Sequence, residues 1–281
     1  IIDELESDGR GPYSGSIGWM APDGSAEFNV AIRTLAITDE GAEVGLGSAV
    51  VFDSNAEDEW EECRTKGAFL TAGAEPFELF ETMRFDPGVG LNELNRHLAR
   101  LRNSAAAFGF AFDEAAIRGA LDAATRDLSE TRVVRLALAC DGQAAITQRA
   151  VQAFPGEMRV GLAPLPVVAT DFRLRHKTTS RGFYDDARAT ARADEVVFFD
   201  RDGFVTEGSF TNVFIERDGF LVTPPLTRGL LPGILRAALL DAGKAIEGDV
   251  RVEDLHAGFM LGNAVRGLTA VSARALLRAA S

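Results

Sequence analysis

The feature that most constrains this chain is a lysine just after a short apolar-basic segment and, thirty positions later, a glutamate just before a strand-like run. Lys177 lies in Arg175-His176-Lys177-Thr178-Thr179-Ser180-Arg181. Glu207 lies in Thr206-Glu207-Gly208-Ser209, which reads as a Gly/Ser/Thr turn just before the apolar run Asn212-Val213-Phe214-Ile215. A lysine amine bonds covalently to an aldehyde cofactor. A carboxylate is the usual partner of a pyridinium nitrogen. By residue type alone Lys177 also reads as a solvated surface lysine, because most lysines are exposed. The surrounding pattern has to decide.

Composition bounds the partners. The 281 residues hold 29 Lys+Arg against 42 Asp+Glu, a formal net charge of −13. That balance argues against nucleic acid and an anionic membrane surface, and leaves room for an anionic small substrate at a locally basic site. Cys63 and Cys140 stand far apart and in no metal-ligand spacing. Neither a disulfide framework nor a zinc site is expected, and a reducing cytoplasm fits. No apolar run approaches the ~18 residues of a membrane span, and no signal peptide is visible. The first residues are Ile-Ile-Asp rather than Met, which predicts a start inside a longer protein.

Residues 1–73 read as one unit. Pro12, Gly15, Gly18, Pro22 and Gly24 punctuate turns. Two β-rich runs follow, Phe28 to Thr38 and Glu43 to Phe52, with a hairpin turn at Asp39-Glu40-Gly41. Ser54 or Asn55 N-caps a helix to about Ala72, with Glu57, Asp58 and Glu59 in its first turns.

The next unit spans 74–155. Ala74-Glu75-Pro76 breaks the helix. Phe77 to Phe85 reads as a strand and Asp86-Pro87-Gly88 as a turn. A helix over 92–108 puts Leu94, Leu98, Leu101 and Ala105 on one face, and Asp113 N-caps a helix over 114–127. Thr131 to Ala139 and Ala144 to Val151 alternate around Asp141-Gly142 as a hairpin. Arg96, Arg100 and Arg102 form a basic cluster. It is either a solvated helix face or a phosphate site, since a guanidinium forks onto phosphate.

Residues 156–281 form a third segment. Strand-like runs (Met158 to Leu162, Glu195 to Phe199, Thr211 to Ile215, Phe220 to Thr223) alternate with helical stretches (Phe183 to Ala193, Ile234 to Ala242). Pro232-Gly233-Ile234-Leu235-Arg236 marks a helix start, which offers free N–H groups to an anion or is simply a turn. Gly262-Asn263-Ala264-Val265-Arg266-Gly267 is a turn of small residues. Ser272 to Ala280 reads as a tail or short helix.

Two resemblances organise these pieces. Tyr13-Ser14-Gly15-Ser16-Ile17-Gly18, Ala31-Ile32-Arg33-Thr34, Gly45-Leu46-Gly47 and Asp53-Ser54 through Glu59-Trp60-Glu61-Glu62 to Lys66 resemble the end of the chorismate-binding enzymes. These are the large subunits of anthranilate synthase and aminodeoxychorismate synthase. The resemblance implies that Tyr13, Arg33, Gly45 and Gly47 hold carboxylates and that Glu59 and Glu62 help bind Mg²⁺. That family's domain is several times longer, so this piece is expected to be inactive alone and to expose an unpaired sheet face or edge.

His97-Leu98-Ala99-Arg100-Leu101, Lys177, Thr206-Glu207-Gly208-Ser209 with Asn212, Pro232-Gly233-Ile234, and Gly262-Asn263-Ala264 stand in the order found in the fold-type-IV pyridoxal phosphate (PLP) enzymes. That family includes branched-chain aminotransferase, D-amino acid aminotransferase and aminodeoxychorismate lyase. The resemblance implies a two-domain α+β fold over about 76–275, preceded by the hairpin-plus-helix chorismate-binding fragment. It implies that Lys177 is the Schiff-base lysine and that Glu207 pairs with the ring nitrogen. Arg100, the N–H groups of Ile234 and Leu235, and Asn263 and Ala264 would hold the phosphate, and Tyr184 would contact the ring. No metal is expected at this site. Leu235 departs from the threonine of many relatives, the family's opening hairpin is missing, and Tyr184 sits at an unusual offset from Lys177. The resemblance also implies a homodimer, with a glutaminase or synthase as a further partner of residues 1–73.

The chain most resembles the lyase half of bifunctional 4-aminobenzoate synthases, on two grounds. A chorismate-type fragment precedes a fold-type-IV enzyme, and the Lys-Thr-Thr-x-Arg run matches. That implies conversion of 4-amino-4-deoxychorismate to 4-aminobenzoate and pyruvate. Arg84, Arg181 and Arg266 are then candidates for the substrate carboxylates, each equally readable as a surface residue. The alternatives are an aminotransferase for branched-chain or D-amino acids and a non-catalytic docking fragment.

Overall fold

Glycine and proline turns organise the first residues into short hairpins. The computed structural model describes residues 2–6, 9–38, 41–70, 76–156 and 158–277. The chain divides into two units, Ile1–Glu75 and Pro76–Ser281. In the first, α1 (Ile2–Leu5) is followed by β1 (Ser16–Met20), β2 (Ala26–Val30), β3 (Leu35–Thr38), β4 (Gly41–Val44) and α2 (Ala56–Gly67). β1 pairs antiparallel with β2, and β3 with β4.

This corrects the expectation of turns alone over 12–24. Gly18 belongs to β1 because Phe28 and Glu27 cross directly over it, and a Cβ there would meet the Glu27 carbonyl oxygen at 2.1 Å. The predicted run Phe28 to Thr38 is broken, since Arg33 turns left-handed (φ 51°) and Ala31 N–H donates to Gly15 O at 2.9 Å. The run Glu43 to Phe52 pairs only as far as Val44. Beyond it Gly45 and Gly47 pass against Tyr13, where a Cβ would lie 2.3 Å from the ring and 2.5 Å from the hydroxyl respectively. α2 has the expected N-cap, Asn55, whose side chain accepts from Glu57 N–H. Residues 39–40, 71–75 and 278–281 lie outside the described residues. So do most of the predicted hairpin turn, the Ala74-Glu75 helix break and the end of the C-terminal tail.

The second unit has two lobes. The first holds β5 (Leu79–Asp86), β6 (Gly90–Leu91), α3 (Leu94–Phe108), α4 (Glu114–Thr125), β7 (Arg132–Leu138) and β8 (Ala144–Ala150). Its sheet runs β6-β5-β7-β8, all antiparallel. Strand alternation sends Leu79, Met83, Leu136 and Leu138 inward, onto Leu98 and Leu101 of α3 and Ile117 and Leu121 of α4. Phe80, Thr82 and Arg135 share the opposite face, with Thr82 directly opposite Arg135.

The second lobe holds β9 (Val160–Pro164), α5 (Phe172–Arg175), α6 (Gly182–Ala191), β10 (Glu195–Phe199), β11 (Val205–Gly208), β12 (Asn212–Arg217) and β13 (Phe220–Thr223). It continues with α7 (Ile234–Asp241), β14 (Ala245–Glu247), β15 (Phe259–Asn263) and β16 (Gly267–Val271). One sheet is β11-β10-β9 and the other β14-β13-β12-β15-β16. Val160, Val197, Val205, Val213, Phe259 and Leu261 form its main core. Glu207 is thereby in a buried strand, not a turn. A Thr-Glu-Gly-Ser run has little apolar signal, yet here its polar atoms find partners within the fold, as with Thr206 Oγ1 donating to Phe198 O at 3.2 Å.

Backbone pairing joins the lobes. Phe80 N–H donates to Lys177 O at 3.0 Å and Thr179 N–H to Glu78 O at 2.9 Å. Among the described residues no helix is long and apolar enough to cross a membrane.

Leu98 is fully buried in the first lobe's core. Leu98→Ala should lower unfolding free energy by about 2–5 kcal/mol, read by denaturant unfolding. A loss below about 1 kcal/mol would mean that α3 does not depend on this packing.

Candidate active site

The site grows from the inward face of β5. Leu79 and Met83 belong to an apolar face, but Glu81 between them is a carboxylate with 1% exposure. A buried charge needs partners, and α3 supplies two from the same side of the helix. Arg100 donates through Nε to Glu81 Oε1 at 2.8 Å and through Nη2 to Oε2 at 2.6 Å. His97 Nδ1 lies 2.6 Å from Oε2. Burial pushes the Glu81 carboxyl up, but Arg100 and His97 outweigh it and hold it at about 2. Arg100 also donates through Nη1 to Pro232 O at 2.8 Å, which fixes the loop entering α7.

That loop is held a second time. Asn212 donates to Leu231 O at 3.2 Å. It packs so closely on Gly233 that a Cβ there would sit 1.7 Å from Asn212 Oδ1. Only glycine fits. Leu231 N–H in turn donates to Glu207 Oε2 at 2.9 Å, and the Tyr184 hydroxyl donates to Oε1. Burial raises Glu207 to about 7 against those two hydrogen bonds. Burial and the facing Glu207 also raise Tyr184.

Lys177 is half-buried, with its ammonium 4.7 Å from the centre of the Phe80 ring. Burial first, then Arg181 and Arg100, lower it to about 7, while Glu81 and Glu207 pull the other way. An amine this depressed has a substantial free-base fraction near neutrality, which is what a nucleophile or proton acceptor requires.

These groups line one cavity of about 570 Å³. Lys177, Glu207, Arg100, Tyr184, Ile234, Asn263, Ala264, Arg181 and Arg266 all border it. Two expected residues do not. Arg84 is tied to Asp86 at 2.7 Å, because strand alternation and the β5–β6 turn point it at that carboxylate. The Leu235 side chain packs against Gly262, so only its backbone belongs to the first turn of α7. Asn263 uses its side chain locally, accepting from Val265 and Arg266 N–H at 3.0 and 2.9 Å and donating to Phe210 O at 3.3 Å. It shapes the β15–β16 turn rather than offering a free amide.

Sequence reasoning missed Glu81, whose only signal was a carboxylate amid apolar residues, and Arg135 and Arg149, which also border the cavity. It missed Glu195 as well. This fully buried carboxylate accepts from Ser209 N–H and Thr211 Oγ1, each at 2.8 Å, and so anchors the turn after Glu207. In the first unit, Tyr13, Gly45 and Gly47 border a separate cavity of about 510 Å³, which Arg33, Glu59 and Glu62 do not line. Glu59 accepts from Ser54 Oγ at 2.6 Å, and Glu62 pairs with Lys66 at 2.6 Å.

The raised carboxyl of Glu207 sets a sign for stability. Between its ordinary value of 4.5 and about 7 the folded chain holds a proton that the unfolded chain releases, so stability is lost as pH rises through that window. In the cofactor-free protein, Glu207→Gln should therefore gain melting temperature relative to wild type between pH 5 and pH 8. The ceiling is about 3 kcal/mol, from roughly 1.4 kcal/mol per pH unit. A difference that does not change with pH would mean that Glu207 is ionised at both ends.

Comparison with known proteins places these features. Residues 78–273 match the amino-transferase class IV family and residues 1–72 match the chorismate binding enzymes. A candidate amino-acid aminotransferase of Mesorhizobium loti is 39% identical, with a TM-score of 0.66, over 72% of this chain and 100% of its own. A candidate 4-amino-4-deoxychorismate lyase is 27% identical, with a TM-score of 0.60, over 82% of this chain and 90% of its own. The aminodeoxychorismate synthase of Arabidopsis thaliana is 47% identical over 62 residues, 22% of this chain and 7% of that protein. The chain spans 7% to 17% of the length of the curated relatives it matches, which are anthranilate and aminodeoxychorismate synthases.

Class IV enzymes use PLP, and the cavity fits it on the structure's own terms. His97 Nε2 and Thr178 Oγ1 border the cavity, buried and without a hydrogen-bond partner. Arg100 and the uncapped N-terminus of α7 offer donors to a phosphate, and Lys177 and Glu207 supply the amine and the carboxylate. The chain belongs to the amino-transferase class IV family and is a PLP-dependent enzyme.

Proposed function

We propose that the class IV unit is a 4-amino-4-deoxychorismate lyase, releasing 4-aminobenzoate and pyruvate. The observation that carries this is the union in one chain of a chorismate-binding segment and a class IV unit. Aminodeoxychorismate synthases make the amine on which such a lyase acts, so the fusion joins consecutive steps. The cation-rich cavity supports the same reading, because the substrate has two carboxylates.

In this reading Arg100 and the N–H groups of Ile234 and Leu235 hold the cofactor phosphate. Lys177 holds the aldehyde carbon, and Glu207 faces the ring nitrogen. When bound, PLP supplies an aldehyde for the substrate amine and a ring that accepts an electron pair. Displaced by that amine, Lys177 Nζ is a free base at the substrate's amine-bearing carbon and removes its proton. The neighbouring ring C–O bond then breaks, and the enolpyruvyl group leaves with the bonding pair. It gains one proton to become pyruvate, balancing the one taken from the ring, and the ring becomes aromatic. Glu207 keeps the ring nitrogen charged, and Tyr184 and Leu231 N–H fix its carboxylate.

A second reading is an aminotransferase. It is favoured by the 39% identity to the Mesorhizobium loti protein. There Lys177 would carry the proton it removes instead of a leaving group departing, and amino and keto groups would be exchanged.

The test is to supply 4-amino-4-deoxychorismate to the PLP-loaded protein without any keto acid. Equal amounts of 4-aminobenzoate and pyruvate are expected, with the rate falling at least about tenfold in Glu207→Gln. No product, together with amino transfer from branched-chain or D-amino acids to 2-oxoglutarate, would overturn the lyase. A homodimer belongs to the same proposal, and sedimentation should show it. Monomer alone at working concentration would contradict it.

A further inference from the structure

The cavity holds more positive charge than its own carboxylates neutralise. The charge of Arg100 is offset by Glu81, that of Arg173 by Asp171 at 2.8 Å, and that of Arg188 by Asp185. Arg135, Arg149, Arg181 and Arg266 also border the cavity, and among the described residues none of them forms a salt bridge. Two of the four are nonetheless fixed. Arg181 donates to Ser209 O, and Arg266 donates through Nε to Gln152 O at 2.8 Å. Each is oriented by a carbonyl and keeps donors to spare, since a guanidinium has five.

Three of the four fall into two places. The Phe80 ring carries the Arg135 guanidinium at 3.9 Å, Lys177 at 4.7 Å and Arg181 at 5.9 Å. The stacked rings of Phe154 and Phe210 carry Arg266 at 5.1 and 5.3 Å. Arg149 stands on β8, two residues beyond the partner of Arg135 and on the same sheet face. Burial lowers the affinity of Arg135 for its proton, as do Arg181 and Arg149, while Glu78 acts the other way. Burial lowers that of Arg266, as do Arg149 and Arg188, while Glu195 acts the other way. Gathered guanidiniums that repel one another favour an anion among them.

We propose that the cavity has two carboxylate seats, Arg135 with Arg181 over Phe80 and Arg266 over Phe154 and Phe210, with Arg149 lining the same cavity, and so selects a dicarboxylate. This rests on the lyase reading for the assignment of the seats. The departing ether is on the carbon next to the amine, so its carboxylate stays near Lys177 and falls to Arg135 and Arg181. The ring carboxylate is para to the amine, farthest from Lys177, and falls to Arg266. Arg135 is thus a specificity residue: a simple amino acid with one carboxylate leaves one seat unfilled and its cations unpaired.

The test uses two unreactive probes on the PLP-loaded protein, read by calorimetry: 3-(carboxymethoxy)benzoate, a dianion, and 3-methoxybenzoate, which lacks the second carboxylate. The dianion should bind at least about tenfold more tightly, the size of one charge-assisted contact. Arg135→Met should abolish that preference without weakening the monoanion, and Arg135→Lys should restore part of it. Arg266→Met should weaken both probes about tenfold. Equal binding of the two probes to wild type, or an undiminished preference in Arg135→Met, would overturn the proposal. If the dianion preference holds but 4-amino-4-deoxychorismate gives no 4-aminobenzoate, the lyase fails while the two seats stand, and the substrate is another dicarboxylate amine.

Discussion

One buried carboxylate sets the site. Glu81 has 1% exposure in the core face of a strand and is satisfied only by Arg100 and His97 of the neighbouring helix. Breaking such a group costs roughly 3–5 kcal/mol, because the partner charges stay buried without it. The geometry then propagates. Arg100, held on one side by Glu81, reaches Pro232 O on the other, and the Pro232-Gly233 turn starts α7. The same loop delivers Leu231 N–H to Glu207. Arg100, the start of α7 and Glu207 are thus placed by one chain of contacts that crosses both lobes.

Opposed charges with displaced proton affinities complete the arrangement. Lys177 and Glu207 border the same cavity and both sit at about 7, one lowered and one raised, mainly by burial. Neither is locked into its ordinary charge state. A cofactor with an aldehyde and a basic ring nitrogen would use both, bonding the free amine and giving the carboxylate a cation to face. Pairs pushed apart from their usual values in this way mark acid–base sites.

Much of this was legible in the sequence, for identifiable reasons. Lys177, Glu207, Arg100 and Ile234 stand in separate motifs of the sequence and border one cavity. α3 and β5 appear from simple periodicity, with bounds shifted by two residues at most. β11 was illegible because Thr206 and Glu207 are polar residues whose partners come from elsewhere in the fold. β1 was hidden by Gly18, a glycine required by a crossing phenyl ring rather than by a turn. Arg84 and Arg135 illustrate the limit at the site. Both are arginines on strands of one sheet, and only the register shows that one meets Asp86 while the other lies over Phe80. Glu81 could not be assigned from sequence because its role is defined by partners 16 and 19 positions away.

The claim on which all of this depends is that Lys177 is the point of covalent attachment. The most direct measurement is borohydride reduction of the PLP-loaded protein followed by peptide mapping by mass spectrometry. The account predicts a single pyridoxyl modification, on the peptide containing Lys177, and none in Lys177→Ala. Modification of Lys244 or Lys66 instead, or cofactor fixed to the chain in Lys177→Ala, would contradict it.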